Sequence, residues 1–306
     1  MNKDLLSVKD INVQDIELLF QMASEFKQRR KRGEKIIHFL DGKSLGLLFE
    51  KPSTRTRISF EIAVRELGGN SLFLQSEQMQ MKRGETLADA AKIFSLYLDA
   101  LAVRTYKHDN LSELAKNASV PVINALSDFS HPCQALSDMF TVKEKMGKLE
   151  GVKLTYIGAG NNVCNSLIYG AAKTGINLIV ASPKGYEPKS GILKDAKKTN
   201  SKCKIEITNN PTKAVKNTDI IYTDVWVSMG EEKEKEVRTN AFKNFQVNEK
   251  LVKSAKKGVL VMHCLPAHRG EEITSKILDG PNSIVLEQAE NKLHMQKAIL
   301  VLLLGK

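Results

Sequence analysis

The sequence predicts an α/β protein made of two doubly wound parallel-sheet domains with an active-site cleft between them. Three observations lead there. Apolar runs of strand length alternate with helical patterns from end to end. The runs are apolar on both faces, as parallel strands covered by helices must be. The 306 residues are enough for two large cores, and 42% hydrophobic with 26% charged residues is the composition of an ordinary soluble globular chain.

Taken in order, an opening helix over roughly residues 13–32 precedes the strand runs SLGLLF, SLFLQ, DALAVR and VPVINA, with helical segments between them. A helix from about His131 to Met146 joins this series to a second one: VKLTYIG, INLIVAS, CKIEIT, DIIYTD and GVLVMHC. The last helix, from about Asn291 onward, is apolar enough to pack against something large. One domain therefore comprises residues 1–145 with the C-terminal helix 288–306, and the other residues 146–287. Ligands of open α/β sheets bind beyond the carboxyl ends of strands, so chemistry-bearing residues are sought just after each strand.

The net charge of +11 asks for an acidic partner or substrate. Nucleic acid fits poorly: the lysines are mixed with acids, as in EEKEKEVRTNAFK, aromatics are 6%, and there is no zinc-finger or RNP-type spacing. Cys133, Cys164, Cys203 and Cys264 form no CxxC pair and read as reduced thiols of a cytoplasmic protein. MNKDLLSVKD has no signal-peptide character, and AILVLLLG is too short to span a bilayer.

Five post-strand motifs stand out. After LGLLFE comes KPSTRTR. Pro52 ends the strand, Ser53 or Thr54 is an N-cap, and Phe60, Val64 and Leu67 give the ensuing helix one apolar face until Gly68 and Gly69 stop it. Hydroxyls and guanidiniums at a helix start form an anion site, because free backbone N–H groups and planar cationic forks both suit phosphate oxygens. Arg104 ends DALAVR, and DFSHPCQ places His131 at a helix start with Gln134 one turn on, donors suited to an amide or carbonyl. YIGAGNNVCNS is a strand, glycine turn and helix, but Val163 replaces the third glycine of a dinucleotide fingerprint. The strand INLIVAS also ends without the ribose-binding acid. DVWVSMG and HCLP bring Asp224 and Cys264 to consecutive strand ends, where a carboxylate beside a thiol can orient an amine.

Anion-binding groups thus fall in the first half and amine-binding groups in the second. STRTR, HPCQ, DVWVSMG and HCLP, in this order and spacing, resemble the aspartate/ornithine carbamoyltransferase family, the last two its ornithine branch. The resemblance spans nearly the whole chain. It implies transfer of the carbamoyl group of carbamoyl phosphate to the side-chain amine of L-ornithine, giving citrulline and phosphate in arginine metabolism, with no metal or organic cofactor. By resemblance, Ser53, Thr54, Arg55 and Thr56 cradle the phosphate, Arg57 supports them, and Gln80 enters the same pocket from a neighbouring subunit. Arg104 and His131 polarise the carbonyl, Gln134 binds the carbamoyl end, and the Leu265 carbonyl binds its amide. Asn162, Asp224, Ser228 and Met229 form the ornithine site, and Cys264 contacts the ornithine side chain. Relatives carry arginine in AENR where this chain has Lys292. Lysine keeps the charge and loses the fork. The family implies a homotrimer or a multiple of it. A putrescine carbamoyltransferase is the alternative within the family, and a nucleic-acid-binding protein the alternative outside it.

Overall fold

The computed structural model describes residues 2–75, 84–199, 203–227, 230 and 232–305. It divides into two units, Met1–Phe140 with Asn291–Lys306, and Thr141–Glu290. In the first, α1 (Val13–Lys31) is capped by Asn12, whose side chain accepts from the Asp15 N–H at 2.6 Å. Strands and helices then alternate: β1 (Ser44–Phe49), α2 (Thr54–Glu66), β2 (Asn70–Gln75), α3 (Leu87–Tyr97), β3 (Ala100–Arg104), α4 (His108–Asn117) and β4 (Val122–Leu126). All pair in parallel, in the order β2-β1-β3-β4. The central strands β1 and β3 are buried almost throughout, which accounts for their two-sided apolar sequences.

The edges are treated differently. The N-terminal segment covers β4: Leu5 donates to the Val122 carbonyl at 2.9 Å, and Asn124 donates back to the Leu5 carbonyl at 2.8 Å. The opposite edge, β2, has no fully buried residue. On α2 and at its C-cap, Phe60, Val64 and Leu67 are fully buried, each contributing about 1.5–3 kcal/mol of apolar burial. Gly68 at φ 89° follows that helix as the left-handed stop expected of the sequence.

Helix α5 (Pro132–Met146) leads into the second unit. There β5 (Lys153–Ile157), α6 (Asn162–Thr174), β6 (Asn177–Ala181), α7 (Ser190–Thr199), β7 (Ile205–Thr208), α8 (Pro211–Ala214) and β8 (Ile220–Thr223) follow one another. The chain then forms α9 (Lys235–Phe242), α10 (Glu249–Lys253), β9 (Leu260–His263), α11 (Ser275–Leu278) and α12 (Val285–Leu304). The strands form a parallel sheet in the order β7-β6-β5-β8-β9. Ile157, Ile221 and Val261 pack with Trp226, Phe242 and Phe245, the Trp226 and Phe242 rings lying 5.9 Å apart. Trp226 is therefore part of the core, an anchor for the chain that runs on past β8.

Helix α12 starts at Val285 rather than near Asn291. Ile284, with no capping side chain, precedes it, and its first turn carries the exposed Leu286, so neither a cap nor an apolar face marks the start in sequence. Among the described residues, no helix is long and apolar enough to cross a membrane.

In each sheet one strand has neighbours wound in opposite directions. β1 lies between β2 and β3, and β5 lies between β6 and β8. These are the topological switch points, where connections leave to opposite faces and open a crevice at the strand ends.

Candidate functional site

At the switch point of the first unit, KPSTRTR follows β1, and Arg104 ends β3 opposite Phe49 in the parallel register. Ser53 occupies the N-cap position of α2 with extended backbone, yet its side chain makes no capping bond, and no acidic residue sits in the first turn. Instead the first turn carries Arg55 and Arg57. A cation there is unfavourable against the helix dipole by about 0.3–1 kcal/mol, a cost that a bound anion reverses.

The neighbouring groups add to the positive field. Burial and the Arg55 cation push Arg104 down to about 10. Burial, with the cations of Lys292 and Arg104, holds His131 well below the usual imidazole range, so it is neutral at physiological pH. The Lys292 ammonium donates to Thr56 Oγ1 at 2.8 Å and to Gln134 Oε1 at 3.2 Å, joining α12 to α2 and α5. Gln134 in turn donates from Nε2 to Asp138 at 2.8 Å. The turn bearing His131 is held by buried Asn124, whose side-chain amide donates to the Ser130 carbonyl at 3.1 Å and the Leu6 carbonyl at 2.8 Å. Glu50 braces the segment after Arg104 by accepting from the Thr105 hydroxyl at 2.6 Å and the Tyr106 N–H at 2.8 Å. Such a cluster of two guanidiniums, an ammonium, a neutral imidazole and hydroxyls fits an anion that also carries a carbonyl.

At the switch point of the second unit the chemistry has the opposite sign. Asp224, just past β8, is buried and fully engaged. Its Oδ1 accepts from the Cys264 thiol at 3.0 Å and from the Val225 N–H at 2.8 Å. Its Oδ2 accepts from the side-chain amide of Asn161 at 2.7 Å. Asn161 is also the N-cap of α6, its Oδ1 accepting from Val163 at 3.1 Å and Cys164 at 3.0 Å. One side chain thus both starts the helix and fixes the carboxylate. Asn162 is the first residue of that helix and is half-buried.

The glycine turn before it has a local explanation. A Cβ on Gly160 would lie 2.3 Å from the Pro188 nitrogen and 2.4 Å from its Cα, so the close approach of segment 186–188 requires glycine there. Beyond β9, Cys264 and Leu265 lead the HCLP turn. Leu265 has φ 58°, a left-handed leucine costing about 1–2 kcal/mol, and a cis peptide joins it to Pro266.

Some expected site residues are not placed with the others. Arg57 turns away from the anion cluster, its Nε donating to Glu61 at 2.8 Å and its guanidinium stacking 3.6 Å from the Phe73 ring centroid. It braces α2 and β2, because a half-buried arginine gains more from an i,i+4 carboxylate and a ring face than from further like charges. Gln80, Ser228 and Met229 lie outside the described residues. Asn161 and Asn124 were missed as positioning groups. An asparagine before a helix signals a cap, and only the fold reveals its second partner.

Cys133 and Cys164 are not nucleophiles: burial pushes the Cys133 thiol up to about 12, and burial with the Asp224 charge pushes Cys164 higher still. Donor atoms of Asp224, His263 and Cys264 lie within 4.8 Å of one another, as do those of His268, Glu271 and Glu272. In the first set both His263 ring nitrogens are already hydrogen-bonded, Nδ1 to Leu265 and Nε2 to Glu272, so a metal there would have to break that pairing.

Comparison with known proteins accounts for both halves. Residues 3–144 match the aspartate/ornithine carbamoyltransferase carbamoyl-P binding domain, and residues 150–303 the Asp/Orn binding domain of the same family. The chain is 51% identical to the ornithine carbamoyltransferase of Pyrococcus horikoshii over 305 residues, covering 99% of this chain and 96% of the relative. It is 50% identical over 305 residues to the anabolic enzyme of Pyrococcus furiosus, again covering 99% of this chain and 96% of that protein. The solved structure of ornithine carbamoyltransferase from Pyrococcus furiosus superposes with a TM-score of 0.95 at 50% identity, covering 99% of this chain and 97% of that one. The structure from Thermus thermophilus gives a TM-score of 0.90 at 40% identity, covering 99% of each.

Proposed function

Because this chain belongs to the aspartate/ornithine carbamoyltransferase family, we propose that it transfers the carbamoyl group of carbamoyl phosphate to the side-chain amine of L-ornithine, forming L-citrulline and phosphate. The observation that carries this reading is the convergence of Arg55, Arg104, His131 and Lys292 on one strand-end site. Carbamoyl phosphate supplies both the anion and the carbonyl that such a set matches.

The phosphate sits at the N-terminus of α2, held by Ser53, Thr54, Arg55 and Thr56, with Lys292 beside Thr56. Gln134 binds the carbamoyl end, and Gln80 completes the pocket. Arg104 and neutral His131 donate to the carbonyl oxygen. As that oxygen takes on negative charge, each donor is worth roughly 3 kcal/mol to the transition state. The ornithine amine has a pKa of about 10 in water and reacts only when neutral, so binding must select its deprotonated form. Asp224 and Cys264 orient this amine, and Asn162, Ser228 and Met229 hold the amino-acid head group. The amine nitrogen bonds to the carbonyl carbon, the C–O bond to phosphate breaks, and the amine proton leaves on phosphate. The Leu265 carbonyl receives the carbamoyl amide.

Putrescine lacks the α-amino-acid head group, and the relatives above are named for ornithine. Incubation with carbamoyl phosphate and, separately, ornithine, putrescine or aspartate tests the assignment. Citrulline from ornithine is expected, and ureido product mainly from putrescine or aspartate would overturn it.

The assembly that fits is a homotrimer or a multiple of it. Supporting this, the β2 edge is incompletely covered, and Leu96 and Tyr97 at the end of α3 are each 75% exposed, with Ile58 and Leu72 also exposed in the same unit. Sedimentation should show a trimer or its multiple, and Leu96→Glu should shift it toward monomer. The four free cysteines fit a reducing cytoplasm.

A further inference from the structure

The HCLP turn is held from a direction that the reaction itself does not use. Glu272 and His263 are both fully buried. The Leu265 N–H donates to Nδ1 of His263 at 2.9 Å, so Nδ1 must carry a lone pair. Nε2 of the same ring lies 2.9 Å from Oε1 of Glu272, so Nε2 carries the proton. This hydrogen-bond pattern selects one neutral tautomer. The same Oε1 accepts from the His268 N–H at 2.6 Å, which ties down the far end of the turn. Oε2 of Glu272 has no hydrogen-bond partner among the described residues. The start of the turn is pinned separately by the His263 N–H, which donates to Oε1 of buried Gln288 at 3.0 Å. Glu272 is held in turn through its own backbone, its carbonyl accepting from the Val247 N–H at 2.8 Å.

We propose that Glu272 is a positioning residue for carbamoyl transfer: through its hydrogen bonds to His263 and to the His268 N–H, it fixes the left-handed Leu265 and hence the places of the Cys264 thiol and the Leu265 carbonyl. This rests on the ornithine carbamoyltransferase reading above. A left-handed leucine needs a partner for its N–H, and neutral His263 supplies it only while its other nitrogen has an acceptor. Without the carboxylate the ring is free to take the opposite tautomer, which places N–H against N–H at Leu265 and drives the turn to a relaxed backbone. Misplacement of reacting groups by about 1 Å costs on the order of 100-fold in rate.

The test compares Glu272→Gln with Glu272→Leu. A single oxygen makes both bonds, and glutamine keeps one oxygen. Glu272→Gln should therefore retain kcat/KM for ornithine within about 3-fold, while Glu272→Leu loses on the order of 100-fold. The affinity for inorganic phosphate, set in the first unit, should be unchanged in both. Nitrogen-15 NMR of the wild-type chain should show His263 protonated at Nε2 alone, a readout that does not depend on either variant folding. Unchanged kcat/KM in Glu272→Leu, equal loss in both variants, or a His263 protonated at Nδ1 would each overturn the proposal. Absence of citrulline with the wild-type chain would overturn the reaction instead, and the NMR result would still decide the tautomer.

Discussion

The two strand-end clusters occupy equivalent places on similar parallel sheets and solve opposite problems. In the first unit, cations are gathered against one another. Arg104 is pushed down to about 10 partly by Arg55, and His131 is kept neutral partly by Lys292 and Arg104. In the second, both oxygens of Asp224 already accept hydrogen bonds from Asn161, Cys264 and its own loop. One cluster holds mutually repelling cations whose repulsion a bound anion would relieve, whereas the other already has its hydrogen bonds in place. The scaffold decides where a site forms, and the side chains after each strand decide which charge it welcomes.

The largest expected effect comes from the cationic cluster. Arg55→Ala should lower turnover by on the order of 1,000-fold with the thermal unfolding profile retained, because it removes the proposed phosphate ligand from an exposed helix start. Near-normal citrulline production by that variant would remove the phosphate cradle from the account. The assembled cluster should respond differently. Asp224→Asn is expected to lower kcat/KM for ornithine by on the order of 100-fold while leaving phosphate binding alone. A parallel fall in phosphate affinity would erase the distinction between the two clusters.

Gly160→Ala probes the backbone beneath the second cluster. Its new Cβ would strike the backbone at Pro188, so a loss of about 1–3 kcal/mol in chemical denaturation is expected. Unchanged stability would mean that segment 186–188 yields freely.

The smallest effect concerns pH. His131 and His294 are neutral in the folded chain, His294 lowered to about 3 by burial and by the cations of Lys297, Lys27, Arg30 and Lys31. Below the ordinary histidine value of 6.5 the unfolded chain binds protons that the folded chain refuses. Stability therefore falls as pH drops from about 6.5, and for His294 the loss continues toward pH 3. Urea midpoints measured from pH 7 to 4 should decline, and His294→Leu should flatten the decline. An identical slope in that variant would exclude His294 as a source.

The nine strands among the described residues were legible because buried parallel strands are written as continuous apolar runs, and the cationic start of α2 because STRTR concentrates its chemistry in adjacent residues. Pairings across the chain were not legible. Lys292 meets Thr56 across 236 positions, and Asn161 meets Asp224 across 63. Glu272 is one of two acids in HRGEE until the fold buries it beside His263. The start of α12 was not legible because Ile284 offers no cap, nor was Arg57's stacking on Phe73, which is brought near only by β1–β2 pairing.

The most direct measurement is calorimetric titration of inorganic phosphate into the wild-type chain, Arg55→Ala and Asp224→Asn. Phosphate binding that is lost in Arg55→Ala and kept in Asp224→Asn is the predicted result. Binding that survives Arg55→Ala, or that Asp224→Asn removes, would contradict a division of labour between a cationic anion site and a preassembled amine site.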